Sequence, residues 1–232
     1  MIKKAMILAA GFGKRIQPLT LDLPKPLLKI GKETLLSNTF NFLISLGIKD
    51  VVINVHYLAE QIVDYINQKK FNLNIKIIKE NSKILDTGGG VLNAIHHFSN
   101  EPFLIINPDT VWNILYSNEI KLMQDKFFEN KKNKCSLLVA NKKKSFDKSL
   151  KGDFNLENNL ITRTDKEKLD YIYTGAQIIH PIVFSDLKEE VFSINKIWNQ
   201  LIERKELFGI QSNVDFMHVT SLQIYKKIIE KV

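Results

Sequence analysis

The sequence predicts an α/β fold: a doubly wound, mostly parallel sheet built as one domain over residues 1–232. Three observations predict it. Short apolar runs alternate along the chain with stretches of helical spacing, as strands joined by crossover helices do. The first run, residues 6–10, is apolar throughout, as a strand covered on both faces must be, and it feeds directly into Gly11-Phe12-Gly13. At 232 residues and 44% hydrophobic composition, the chain can bury one sizeable core.

The elements follow in order. After the first strand, residues 34–46 carry apolar positions at helical spacing (Leu35, Leu36, Phe40, Leu43, Ile44) and stop at Gly47. Residues 51–55 read as a strand, 58–66 as a helix and 73–78 as a third strand. A polar loop over 80–85 ends in Asp86-Thr87-Gly88-Gly89-Gly90, and a helix is expected over 91–98. Glycines at a helix start let N–H groups and the helix dipole face an anion; the alternative is a plain N-cap by Asp86 or Thr87, but three glycines in a row cost a helix stability and favour the ligand reading. Residues 103–106 form the fourth strand, 116–128 a helix and 136–140 a strand. The lysines at 142–144 and the stretch 145–151 read as a mobile excursion. A hairpin turns around 157–159, and a strand over 171–179 carries Thr174-Gly175. A helix at 194–202, short strands at 207–210 and 216–219, and a helix at 221–229 complete the chain.

Composition narrows the function. The net charge of +8 is almost all lysine, with arginine only at 15, 163 and 204. No basic cluster is interleaved with aromatics and no basic amphipathic helix is evident, so nucleic acid and membrane surfaces are not expected partners. The charge reads as solvated surface that also attracts anionic substrates. No apolar stretch approaches the roughly 20 residues of a membrane span. The run after Lys3 and Lys4 is too short for a signal peptide. Cys135, the single cysteine, falls in a core strand and cannot form an internal disulfide. A cytoplasmic protein is expected.

Three local patterns carry chemistry. Gly11 and Gly13 let backbone N–H groups approach an anion, while Lys14 and Arg15 supply charge-assisted donors. This is neither a Walker A loop nor a dinucleotide fingerprint, whose third glycine would fall at Ile16. Pro24-Lys25-Pro26 holds one lysine between two residues of fixed φ. Asn107-Pro108-Asp109 follows the fourth strand at its carboxyl end, where open α/β sheets bind ligands and where a carboxylate suits Mg²⁺ bound to phosphates.

The ordered string A-A-G-x-G-x-R, P-L-T and P-K-P resembles the signature of the sugar-1-phosphate nucleotidyltransferases. The likeness covers almost the whole chain. It is nearest the short bacterial N-acetylmuramate-1-phosphate uridylyltransferases and, more loosely, the mannose-1-phosphate guanylyltransferases. The resemblance implies a Rossmann-like nucleotidyltransferase fold without a C-terminal β-helix, hence no acetyltransferase activity. Residues 1–110 would mainly bind the nucleotide and 111–232 mainly the sugar phosphate. Ala10, Gly11, Gly13, Lys14 and Arg15 would hold the triphosphate, with Lys25 at the reacting phosphates. Glu80 and Gly88 would lie against the base. Asn107, Gly152, Asp153 and Thr174 would face the sugar phosphate, and Asp109 would bind Mg²⁺. Two positions depart from the family's pattern. Pro108 stands where a glycine is usual, and His218 replaces an aspartate as the second metal ligand. They leave open a catalytically weak homologue that only binds nucleotide or sugar phosphate. The likeness favours uracil, but a glutamate at 80 could serve either uracil or guanine.

Overall fold

The computed structural model describes residues 1–80, 83–164, 168–188 and 190–231. In chain order its strands begin with β1 (Lys4–Leu8), the hairpin β2 (Lys29–Ile30) and β3 (Glu33–Thr34), β4 (Asp50–Val55), β5 (Asn74–Lys79) and β6 (Phe103–Ile106). They continue with β7 (Cys135–Asn141), β8 (Asn155–Glu157), β9 (Leu160–Thr162), β10 (Tyr171–Ile179) and β11 (Leu207–Ser212). The helices are α1 (Leu35–Ser45), α2 (Ala59–Lys69), α3 (Asp86–Ala94), α4 (Tyr116–Glu129), α5 (Asn195–Glu203) and α6 (Leu222–Lys231). None of them is long and apolar enough to cross a membrane.

One sheet of order β5-β4-β1-β6-β10-β7-β11-β9-β8 runs through the molecule. From β5 to β6 every pairing is parallel. β10 then runs antiparallel to both β6 and β7, and β11 is parallel to β7. The expected α/β class is present, with a parallel half and a mixed half.

The side-chain alternation of β1 shows the double winding. Ala5 and Ile7 join a core with Leu36, Phe40, Trp112 and Tyr116, whereas Met6 joins the opposite core with Val91, Phe98 and Trp198. All three β1 side chains are fully buried. Burying a large apolar side chain of this kind is worth about 1.5–3 kcal/mol. At the start of α1 the Thr34 hydroxyl caps the helix by accepting from Ser37 N at 3.0 Å.

Three local readings are corrected. Gly88–Gly90 lie inside α3, which starts five residues earlier than expected. The stretch 145–151 is tied down. Phe146 N donates to Phe216 O at 2.8 Å, and the buried Asp147 accepts the Thr220 hydroxyl. Residues 216–219 form no continuous strand among the described residues. Phe216 and His218 make isolated bridges to Ser145 and Thr110, because the segment runs between two other segments instead of along one.

Candidate active site

A cleft of about 400 Å³ opens at the carboxyl ends of β1, β4 and β6. Its floor is the end of β1, from Leu8 through Ala10 into Gly11 and Gly13. Gly13 has φ +64°, which turns the chain into the single 3₁₀ turn of Lys14–Ile16. A Cβ at Gly11 would meet no atom within 4 Å beyond its chain neighbours, so local packing does not demand glycine there. Lys14 and Arg15 are exposed and line the cleft. The Lys14 ammonium also sits 5.3 Å from the Phe12 ring centre.

Lys25 enters the same cleft from the turn after Pro24, and its ammonium pairs with Asp109 Oδ2. Asp109 is placed by two features. The end of β6 is held where Asn107 N donates to Gly175 O at 2.8 Å, at a bulge of β10 where Gly175 has φ +94°. Beyond it, the Thr110–His218 bridge and the bond from Val219 N to Asp109 O (2.9 Å) bring His218 alongside. His218 Nε2 lies 3.0 Å from Asp109 Oδ2. Burial pushes the Asp109 pKa up, but His218 and Lys25 more than reverse this and hold the carboxyl well below the usual carboxylate range.

Asp109 Oδ1 is buried and has no hydrogen-bond partner, and His218 Nε2 makes no well-formed hydrogen bond. Buried polar atoms are rarely left so. A carboxylate oxygen and an imidazole nitrogen side by side suit a divalent cation that takes its remaining ligands from phosphate and water. The residues present therefore fit a metal. Among the described residues no cluster of three or more acidic, histidine or cysteine side chains forms a self-sufficient metal cage.

The cleft gathers Ala10, Gly11, Gly13, Lys14, Arg15, Lys25, Asn107 and Asp109 of the residues picked from sequence. Others lie elsewhere. Glu80 is 4% exposed, and its two carboxylate oxygens accept from Asn54 Nδ2 (2.7 Å) and Leu85 N (2.9 Å), so both have partners within the protein. The Gly88 N–H is taken by Phe192 O at 2.9 Å, and a Cβ at Gly88 would lie 2.4 Å from the Phe192 ring. Thr174 is fully buried, its hydroxyl donates to Leu138 O, and it does not line the cleft. Gly152 packs on the Leu169 backbone, and Asp153 Oδ2 accepts Tyr173 N at 2.9 Å; neither lines the cleft. Sequence reasoning missed Asn54 and Thr220 on the cleft wall; Asp86 and Thr87, which also line it, were read only as possible N-caps beside a ligand-facing glycine stretch. For Asn54 a signal existed: one amide inside the otherwise apolar run 51–55.

Residues 4–146 match the family described as nucleotidyl transferase. Over 222 residues the chain is 27% identical to an N-acetylmuramate alpha-1-phosphate uridylyltransferase of Caulobacter vibrioides, covering 94% of this chain and 91% of that one. It is 24% identical over 211 residues to the mannose-1-phosphate guanylyltransferase catalytic subunit beta of Drosophila melanogaster, of which the match covers 56%. The solved structure of a UTP-bound UGPase from Acinetobacter baumannii superposes with a TM-score of 0.80 at 14% identity, over 100% of this chain and 93% of that one, and so shares the fold.

Proposed function

The chain belongs to the nucleotidyl transferase family, and from that premise we propose that this sugar-1-phosphate nucleotidyltransferase joins UTP to N-acetylmuramate 1-phosphate in the cytoplasm, releasing pyrophosphate. The observation that carries the reading is the pair Lys25–Asp109 lining a glycine-floored cleft, with an unpartnered carboxylate oxygen on Asp109 and with His218, outside the lining itself, 3.0 Å from Asp109 Oδ2. Uridylyl transfer is favoured because the uridylyltransferase relative matches nearly end to end, whereas the match covers only 56% of the guanylyltransferase relative.

In the proposed reaction an oxygen of the sugar phosphate attacks the α-phosphorus of UTP. The bond from that phosphorus to the bridging oxygen of the β-phosphate breaks, and pyrophosphate leaves with the electron pair. The nucleophile is already an anion, so no general base is needed. Positioning and charge neutralisation carry such a transfer. Backbone N–H groups from Ala10 to Gly13, with Lys14 and Arg15, would hold the triphosphate. Lys25 would face the reacting phosphoryl group, and Asn107 the sugar phosphate. Residues 1–110 would thus carry most of the nucleotide site, and the sugar site would extend into 111–232. Asp109 and His218 would hold a divalent cation, Mg²⁺, which supplies positive charge to the phosphate oxygens when bound.

The test is a substrate panel. UTP, GTP, CTP and dTTP are each incubated with Mg²⁺ and N-acetylmuramate, mannose and glucose 1-phosphates, and pyrophosphate and nucleotide-sugar are both measured. UTP with N-acetylmuramate 1-phosphate should give the highest kcat/KM. A maximum at GTP with mannose 1-phosphate would establish the guanylyltransferase reading, which the 24% identity to that relative supports. NTP binding without product from any pair would establish the binding-only reading.

A further inference from the structure

The Glu80 carboxylate and the Asn54 amide form a buried link between two segments that line the cleft, the end of β1 and the start of α3. Asn54, 3% exposed, sits on β4 in register with Leu8 of β1. Its Oδ1 accepts Ala9 N at 3.0 Å, immediately before the glycine loop. Its Nδ2 donates to Glu80 Oε1 at 2.7 Å, and Glu80 Oε2 accepts Leu85 N at 2.9 Å, immediately before Asp86 and Thr87, which also line the cleft. The chain Ala9–Asn54–Glu80–Leu85 therefore ties the phosphate-loop backbone to the start of α3 through hydrogen bonds between buried groups. In a low-dielectric setting such a chain of buried hydrogen bonds holds the segments it joins in place. Gly90 completes it, since a Cβ there would lie 2.7 Å from Asn54 Nδ2 and 2.9 Å from Glu80 Oε1.

We infer that Asn54 and Glu80 are positioning residues that set the width of the nucleotide cleft, so that Glu80 acts on the bound NTP through cleft geometry and not by contact with the base. The inference rests on the nucleotidyltransferase reading for its ligand. It separates two roles for Glu80 that make opposite predictions. A base contact alters selectivity among bases. A link that sets the cleft alters affinity for every triphosphate alike, because the parts it positions meet features common to all of them.

The experiment compares Asn54→Ala, Glu80→Ala, Glu80→Gln and Gly90→Ala with the wild type. Kd for UTP, GTP and CTP is measured by calorimetry, and KM and kcat are measured for both substrates, with Tm as a fold control. Asn54→Ala and Glu80→Ala should each raise Kd and KM for all three NTPs by a common factor, roughly tenfold or more, with the ranking of bases and the sugar-phosphate KM unchanged. Glu80→Gln retains an acceptor for Asn54 and should fall between them and wild type. Gly90→Ala leaves both polar groups in place, adds helix propensity, and should reproduce the loss by wedging them apart. The double variant Asn54→Ala/Glu80→Ala should be no worse than the worse single, as expected of one coupled unit. A change in the ratio of UTP to GTP or CTP affinity on altering Glu80 would overturn the inference. Lowered Tm with unchanged NTP affinity would overturn it equally, in favour of a purely structural pair. The calorimetric readout needs no turnover, so a wild type that binds NTP without forming product would sink the proposed reaction and leave this inference to be judged on Kd.

Discussion

At the scale of single residues, Lys25, Asp109 and His218 are the side chains on which the proposed transfer depends. Lys25 is fixed by its flanking prolines and by its pairing with Asp109, so its charge is aimed before any substrate arrives. Lys25→Ala should lower kcat by on the order of 10²-fold or more, as loss of a preorganised electrostatic donor does, with a smaller change in KM; steady-state kinetics at saturating substrates would read this. Asp109→Asn keeps size and hydrogen bonding and removes the charge. It should abolish Mg²⁺-dependent turnover with circular dichroism unchanged, and full activity at low Mg²⁺ would remove Asp109 from the site. His218→Asp adds a hard oxygen ligand beside Asp109. It should lower the Mg²⁺ concentration needed for half-maximal rate, whereas His218→Ala should raise it. Two unchanged Mg²⁺ titrations would make His218 a packing residue beside Phe216, 5.6 Å from it ring to ring. That the glycine loop, Lys25 and Asp109 gather at one cleft was legible, because their types and spacing already suggested an anion site at the carboxyl ends of the strands. The engagement of Glu80 and Thr174 inside the protein was not legible, because a residue's type does not say whether its polar atoms already have partners. Glu80 accepts two internal bonds, and the Thr174 hydroxyl is spent on Leu138 O.

At the scale of elements α3 is the informative case. Three consecutive glycines read as a loop or ligand-facing helix start, since each costs a helix about 1 kcal/mol relative to alanine. In the structure they are helical, and their smallness serves packing. Gly88 N and Gly89 N both donate to Phe192 O, and a Cβ at Gly89 would lie 2.2 Å from Glu190 O. Such close approach is a tertiary property with no trace in local spacing. Gly89→Ala, which should gain helix propensity, is therefore expected to destabilise the protein. Overpacking against backbone costs about 1–3 kcal/mol, and each net kcal/mol lowers Tm by roughly 2–4 °C in a chain of this size. A thermal melt showing a raised Tm would contradict the packing account of these glycines. The stretch 145–151 carries the same lesson. Its lysines and polar residues suggested a loose excursion, yet Asp147 anchors it to Thr220 on the cleft wall.

At the scale of the whole molecule the sheet does the positioning. Its parallel half, from β5 to β6, brings the loops after β1 and β6 to one end, where Gly11, Lys25 and Asp109 meet. The alternation of apolar runs and helical stretches made that half legible. The sense of β10 was not, because a fully buried run such as 174–179 reads the same in either direction. The antiparallel β10 in turn supplies the Gly175 carbonyl that holds Asn107, so the part hidden from sequence reasoning frames the part it found. The central claim is that this cleft transfers a nucleotidyl group to a sugar phosphate by attack at the α-phosphorus. The most direct measurement is label partition: UTP labelled with ³²P at the α or the γ position is turned over with N-acetylmuramate 1-phosphate, and the products are separated. The account predicts that all α-label converted appears in the nucleotide-sugar and all γ-label in pyrophosphate, in equal amounts. Release of γ-label as inorganic phosphate, or a sugar product without α-label, would contradict it.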